Sequence, residues 1–161
     1  MMAVLRSHSA WRSALSGLLA VASALVAHSP VVAADAIQAQ DSNIDGVVAE
    51  VLECKRQDGT LTVKIRFRNT SEKKISFHAI EGRNYDSYYL TASNKKFFVL
   101  RDTEKTPLAT PADGSGYAGA SLDKNAAYTF WAKYPAPPAD VKLVNIFTPL
   151  TPPFDNVPIS D

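Results

Sequence analysis

Histidine, methionine and cysteine are scarce in this chain, with 3, 2 and 1 among 161 residues. Most of what there is lies near the N-terminus. Met1, Met2, His8, Trp11 and His28 all fall within residues 1–34. Beyond them stand one cysteine (Cys54), one histidine (His78), one tryptophan (Trp131) and no methionine. A zinc or copper site needs several clustered imidazole or sulfur ligands, so neither is expected within one chain. One cysteine cannot form an internal disulfide, so the core must be held by packing alone. Charge of one sign is also lacking. The formal net charge is +1, and loss of Arg6 and Arg12 would leave −1. Such a balance gives no electrostatic argument for nucleic acid or an acidic membrane as partner.

Long apolar runs are missing as well, with one short exception. Arg6 and Arg12 precede an apolar, small-residue run from Ala14 to Ala27, followed by Ser29-Pro30 and Val32-Ala33-Ala34. Charged, apolar and small-residue regions in that order form a secretory signal peptide, residues 1–34. Cleavage is expected after Ala34, or after Ala36. The run is shorter than the roughly 20 apolar residues that cross a bilayer. No membrane span is expected after cleavage, and no cysteine sits beside the cleavage point to carry a lipid. The expected destination is the periplasm or the exterior.

What remains reads as strands. Residues 35–45 are polar and without period, and are expected to be a flexible lead to one domain over 46–161. Gly46 to Glu53 is a first strand whose two faces are both partly apolar. Asp58-Gly59 is a two-residue hairpin signal. Leu61, Val63, Ile65 and Phe67 alternate with Thr62, Lys64, Arg66 and Arg68, the period-two pattern of a half-buried antiparallel strand. The Lys/Arg face reads as solvated. Asn69-Thr70-Ser71 is a turn that also matches a glycosylation acceptor.

Ile75 to Phe77 is a short strand, and Glu81 to Asp86 a polar loop. Tyr88–Thr91 and Phe97–Leu100 flank Ser93-Asn94-Lys95-Lys96 as a second hairpin. Pro107 to Thr110 suits an edge strand. Ala109 to Ala126 is the longest irregular stretch, the kind of loop that carries function. Tyr128, Phe130, Ala132 and Tyr134 share one face of a strand and Trp131 lies on the other. Val141 to Phe147 is expected to be the last strand, because Pro149, Pro152, Pro153 and Pro158 oppose further pairing. No segment after the leader has a 3.6-residue period. Several short strands with turns at short intervals argue an all-β, antiparallel β-sandwich.

Two segments carry a resemblance. Trp131-Ala132-Lys133-Tyr134-Pro135-Ala136-Pro137-Pro138 and Pro152-Pro153-Phe154-Asp155-Asn156-Val157-Pro158-Ile159 resemble a loose family of exported bacterial immunoglobulin-like domains of unknown function. Tyr88-Tyr89-Leu90 and Val99-Leu100-Arg101-Asp102 add to the likeness. The resemblance implies an immunoglobulin-like sandwich in the envelope or outside the cell. It supplies no catalytic residues. Some relatives carry cysteine after the Arg-Asp pair; Thr103 to Thr110 has none here.

Several letter patterns point to chemistry and lack its context. Gly114-Ser115-Gly116-Tyr117-Ala118-Gly119 spells a dinucleotide fingerprint, which needs a strand before it and a helix after it. Ser121-Leu122-Asp123-Lys124 spells the S-x-x-K of acyl enzymes, which needs a helix to bring lysine to serine. Ser71-Glu72-Lys73-Lys74 matches equally. Asp102, Glu104 and Asp113 are loop carboxylates without EF-hand spacing.

Cys54 is either a buried inert thiol or the link of an intermolecular disulfide. His78 has no neighbouring nucleophile to activate. Tyr85, Tyr88, Tyr89 and Tyr117 are the candidate interaction residues, as a stacking patch or as core aromatics. The expected protein is no enzyme and binds no cofactor. It is a binding or accessory module of the bacterial envelope, a monomer or weak dimer, with an envelope protein as partner. The alternative is a carrier of a sugar, peptide or lipid using Tyr85–Tyr89 and the Ala109–Ala126 loop.

Overall fold

The computed structural model describes residues 35–161. The signal-peptide reading of residues 1–34 lies outside them. Ten strands form two four-stranded antiparallel sheets and a two-stranded ribbon. The first sheet runs β1 (Gln38–Asp41), β2 (Val47–Gln57), β3 (Thr60–Asn69) and β8 (Ala127–Pro135) in that spatial order. The second runs β10 (Thr151–Pro158), β9 (Leu143–Thr148), β5 (Tyr89–Ala92) and β6 (Lys95–Phe98). The ribbon pairs β4 (Ile75–Ile80) with β7 (Ala118–Leu122). One 3-10 turn, Tyr85–Ser87, is the sole helical piece among the described residues. The inward residues of all three units belong to one hydrophobic core. The chain is therefore all-β with antiparallel sheets, consistent with a sandwich.

Alternation builds the first sheet. Leu61, Val63, Ile65 and Phe67 are buried, and Phe130, Ala132 and Tyr134 of β8 join them. Asp58 and Gly59 both take left-handed backbone (φ 49° and 74°), as a two-residue hairpin turn requires. The ambiguous faces of β2 have a cause. An irregularity between Val51 and Glu53 shifts the register, so Val47, Ala49 and Val51 point inward before it and Cys54 after it. The outer face of β3 is paired rather than simply solvated. Arg66 Nε lies 2.7 Å from Glu50 Oε2, Arg68 Nη2 2.9 Å from Glu50 Oε1, and Lys64 Nζ 2.7 Å from Glu53 Oε2.

Five expectations are corrected. The lead is not wholly free of structure, because Gln38–Asp41 pairs with Val48–Val51 as an edge strand. Backbone pairing with β2 supplies the order that side-chain periodicity did not signal. The Ala109–Ala126 stretch contains β7, a strand whose inward Ala118, Ala120 and Leu122 alternate with Gly119 and Ser121, residues too small to give a hydrophobic period. The turn of the second hairpin is Ser93-Asn94 alone, both left-handed (φ 48° and 59°), and Lys95 and Lys96 already belong to β6.

Val141 to Phe147 is not followed by an unpaired tail. β10 pairs with β9 despite its prolines, because it lies at the sheet edge, where a missing N–H costs little. Two register shifts set its inward residues three apart, Thr151, Phe154 and Val157, and leave Pro152, Pro153 and Pro158 exposed. Pro107 to Thr110 makes single bridges rather than a strand.

Candidate functional site

The four tyrosines do not form one patch. Tyr88 is core: its ring stacks on Phe130 at 4.2 Å and its hydroxyl donates to the Ala79 carbonyl at 2.5 Å. Burial pushes that hydroxyl's pKa upward, helped by Tyr134 and Tyr128 nearby. Tyr85 is also buried. Tyr89 faces outward on the second sheet, with Phe147 stacked at 4.6 Å and Lys96 Nζ 4.3 Å from its centroid. Its ring faces are thus engaged by neighbours, which leaves little flat surface for a sugar. Tyr117 is exposed and leans on His78 at 4.8 Å between centroids.

The remaining candidates serve the fold. Cys54 is fully buried, and burial raises its thiol pKa to about 12 despite Arg56. That sulfur presents no surface to a second chain, so the intermolecular disulfide is not compatible with the folded state. Asn69 is fully buried too. Its Nδ2 donates to the carbonyls of Lys73 (2.7 Å) and Leu122 (2.9 Å), and its Oδ1 accepts from Ser71 N (2.8 Å). A residue so held cannot serve as a glycan acceptor in the folded protein.

Asp102 Oδ1 accepts from Glu104 N and Thr106 N, and Asp113 Oδ1 from Ser115 N and Tyr117 N. Both carboxylates close their own loops. The Tyr117 bond is the largest cause holding the Asp113 carboxyl below its usual range. Gly119 lies in β7, with no helix after it, so the glycine pattern makes no nucleotide cradle. Lys124 pairs with Glu72 at 2.6 Å and Ser121 Oγ lies 2.5 Å from Ser76 Oγ, so neither serves the other. His78 Nδ1 is 3.8 Å from Glu81 Oε1, beyond hydrogen-bond reach. Among the described residues no three His, Cys, Asp or Glu side chains gather as metal ligands.

One feature was hidden in the sequence. The outer edge of β8 is covered only along its second half. Trp131 O accepts from Thr110 N (2.8 Å), Lys133 N donates to Leu108 O (2.9 Å), and Lys133 O accepts from Leu100 N (2.8 Å). In an antiparallel strand alternate residues point their N–H and C=O to the same side. Thr129 and Ala127 therefore face the same way as Trp131, and among the described residues nothing pairs with them there. The covering chain is drawn away just before it would reach them. Tyr85 Oη donates to the Thr110 carbonyl (2.9 Å) and accepts from Ala112 N (2.8 Å), and Pro111 between them has no N–H. Trp131 N is left to bond the Thr110 hydroxyl at 2.8 Å.

An open cleft of about 560 Å³ takes in Tyr128, the residue between Ala127 and Thr129, while those two do not line it. Phe77, Tyr128 and Ala120 form its apolar part, and His78, Tyr117 and Ser121 stand among its polar lining. Phe77 meets Tyr128 edge-on at 5.7 Å. β7 forms one wall, is paired to β4 alone among the described residues, and offers only small side chains at Ala118, Gly119, Ala120 and Ser121. Of the four candidate tyrosines only Tyr117 lines the cleft, but most of its lining, Pro111–Asp113 and Tyr117–Ser121, comes from the Ala109–Ala126 stretch, and His78 lines it too. Tyr128 and Thr129 were legible as strand residues, with nothing to mark that edge as unpaired. Comparison with protein-family models, with curated proteins and with solved structures finds no match for this chain.

Proposed function

We propose that this chain is an exported, immunoglobulin-like binding module of the bacterial envelope, without catalytic activity, that engages a partner protein at the cleft between β7 and β8. The observation that carries the reading is the unpaired edge at Ala127 and Thr129, whose intervening Tyr128 lines an apolar-floored opening. Exposed edges and concave apolar sites are where partners dock. The residues that could have made a nucleophile or a metal centre are instead engaged in turns, ion pairs and core packing. Export rests on the leader pattern, and the immunoglobulin-like class on the resemblance of the Trp131 and Phe154 segments.

A small-ligand carrier is the second reading. It is favoured by the cleft volume, which falls within the roughly 300–1,000 Å³ of ligand pockets, and by the lining from Pro111 to Ser121.

In-place photocrosslinking separates the two. A crosslinking side chain at Ser121, on the rim, should join the protein to one dominant envelope protein in intact cells. The same group at exposed Lys55, on β2, should not. Equal labelling from both positions, or none from Ser121, would overturn the protein-partner reading. An adduct of small mass at Ser121 alone would establish the carrier.

A further inference from the structure

The cleft sits beside a strip of backbone, and that fixes the form of what fills it. We infer that the occupant is a short extended peptide segment that pairs with Thr129 and places one apolar side chain against Phe77, Tyr128 and Ala120. This rests on the reading of the cleft as a protein-docking site and goes further by naming the chemistry of the docked part.

The first ground is backbone complementarity. Thr129 offers one N–H and one C=O on the open side of β8, and Ala127 offers the same two residues earlier. An extended chain presents donors and acceptors at that repeat, as the chain's own Thr110 does with Trp131 a few residues away. A sugar or a lipid has no matching repeat. The protein therefore shows in cis, at Leu108–Thr110, the mode of contact that the bare half of the edge invites in trans.

The second ground is length. The bare stretch is bounded by Thr110 at one end. At the other is the Asp123–Ala126 turn, tied down by Asn125 N to the Asn69 carbonyl at 2.9 Å. Three residues, Ala127–Thr129, lie between, about 10 Å at the usual rise of a strand. A long partner strand does not fit. A short extended stretch does.

The third ground is side-chain direction. Successive residues of an extended chain point to opposite faces. One residue of the occupant then points onto the apolar floor, where β7 has no side chain larger than a serine hydroxymethyl along Ala118–Ser121. Its two neighbours point to the other face, that of the exposed Ala127 and Thr129 side chains. The occupant thus reads polar–apolar–polar at its centre.

The test is selection from a displayed random hexapeptide library on the purified protein, followed by titration of the enriched peptides. Enriched peptides should share a single apolar residue between polar ones. They should slow amide hydrogen exchange at Thr129 and Ala127. Thr129→Pro removes the N–H at an edge position that tolerates proline and should weaken binding at least tenfold. Ala120→Phe fills the floor and should abolish it. The exchange readout uses the unaltered protein and stands even if a variant folds poorly.

Enriched peptides that leave exchange at Thr129 unchanged would overturn strand pairing. So would enriched peptides that bind the Thr129→Pro protein as well as the original. No enrichment, with the Ser121 crosslink to an envelope protein still present, would overturn the extended-peptide inference while the docking reading stands. Absence of that crosslink is the separate failure of the docking reading.

Discussion

Tyr85 ties down the chain on both sides of Pro111, just past the point at which Thr110 makes the last bond to the edge of β8. Its hydroxyl donates to the Thr110 carbonyl at 2.9 Å and accepts from the Ala112 amide at 2.8 Å. A tyrosine in the 3-10 turn between β4 and β5 thereby decides how far the edge of β8 is covered. Removing the hydroxyl alone, as Tyr85→Phe, leaves a carbonyl and an amide without their partner. The expected loss is about 1–3 kcal/mol of stability, read from the urea midpoint at unchanged slope. Faster exchange of the Ala112 amide should accompany it. An unshifted midpoint would mean that water replaces the hydroxyl without cost.

Asn69 makes a comparable link between β3, the Ser71–Lys73 turn and β7. Its amide bonds two carbonyls, Lys73 and Leu122, and its side-chain oxygen takes the Ser71 amide. Asn69→Ala strands the Leu122 carbonyl in a buried place and removes one partner each from the half-buried Ser71 amide and the Lys73 carbonyl. Destabilisation of about 2 kcal/mol or more follows from unsatisfied buried groups. Offered to a glycan-transferring enzyme after folding, the protein should stay unmodified at this position, which an intact-mass measurement checks; modification of the folded protein would mean that the Asn69 turn opens readily.

How much of this could be read from the letters differs by element. The Leu61–Arg68 strand was fully legible, because each inward residue is apolar and each outward one is not. The faces of β2 were not legible, since the shift at Leu52 changes which parity points inward and a bulge leaves no mark in composition. β10 was hidden by prolines that argue against a strand, and edge position with two register shifts reconciles them. β7 was hidden by its small residues, which carry little hydrophobic signal. The loop that lines the cleft was legible as the longest irregular stretch, but its meeting with the edge of β8 was not. That meeting depends on a long-range bond from Tyr85 to Thr110, and on an edge that is bare because its own chain turns away.

Glu50 gives the pH dependence. Burial pushes its carboxyl pKa up, but hydrogen bonds from Arg68 and Arg66, with their charges, outweigh burial and hold it below the usual glutamate range. A carboxyl lowered in the folded state adds stability that is fully present above its unfolded value. That stability is lost as pH falls through the folded value. Stability should therefore decline below about pH 4.5, and Glu50→Gln should flatten part of that slope. At pH 7 the substitution should cost about 1 kcal/mol, since both arginines keep access to water. Urea midpoints from pH 3 to 7 for both proteins measure it. Parallel curves would show that the carboxylate contributes nothing to the acid limb.

Cys54 should behave as a core methylene does, not as a reactive thiol. Its sulfur is buried, and its pKa near 12 leaves almost no thiolate at neutral pH. A maleimide reagent should fail to label the native protein over hours and label it fully in denaturant. The protein should migrate identically with and without reductant. Rapid native labelling would mean that the end of β2 opens on that timescale. Cys54→Ala should cost roughly 1 kcal/mol for the small cavity it leaves.

Gly119 shows what the glycine-rich letters are for. A Cβ at this position would lie 2.1 Å from the Phe77 carbonyl oxygen and 2.7 Å from His78 Cα. Both are backbone atoms of β4, so a small side-chain movement cannot relieve the clash. The close approach lies beside the irregularity between His78 and Ile80, where the ribbon bends. Gly119→Ala must push β7 away from β4 or break their pairing there. The expected cost is about 2 kcal/mol or more, in the range of overpacked interiors, with faster amide exchange across Ala118–Ser121. Gly114 has no atom within 4 Å of its would-be Cβ, so Gly114→Ala should be close to neutral. Phosphate recognition would make both glycines matter for ligand binding; strand packing makes only Gly119 matter, and for stability. Equal losses at the two positions would contradict the packing account.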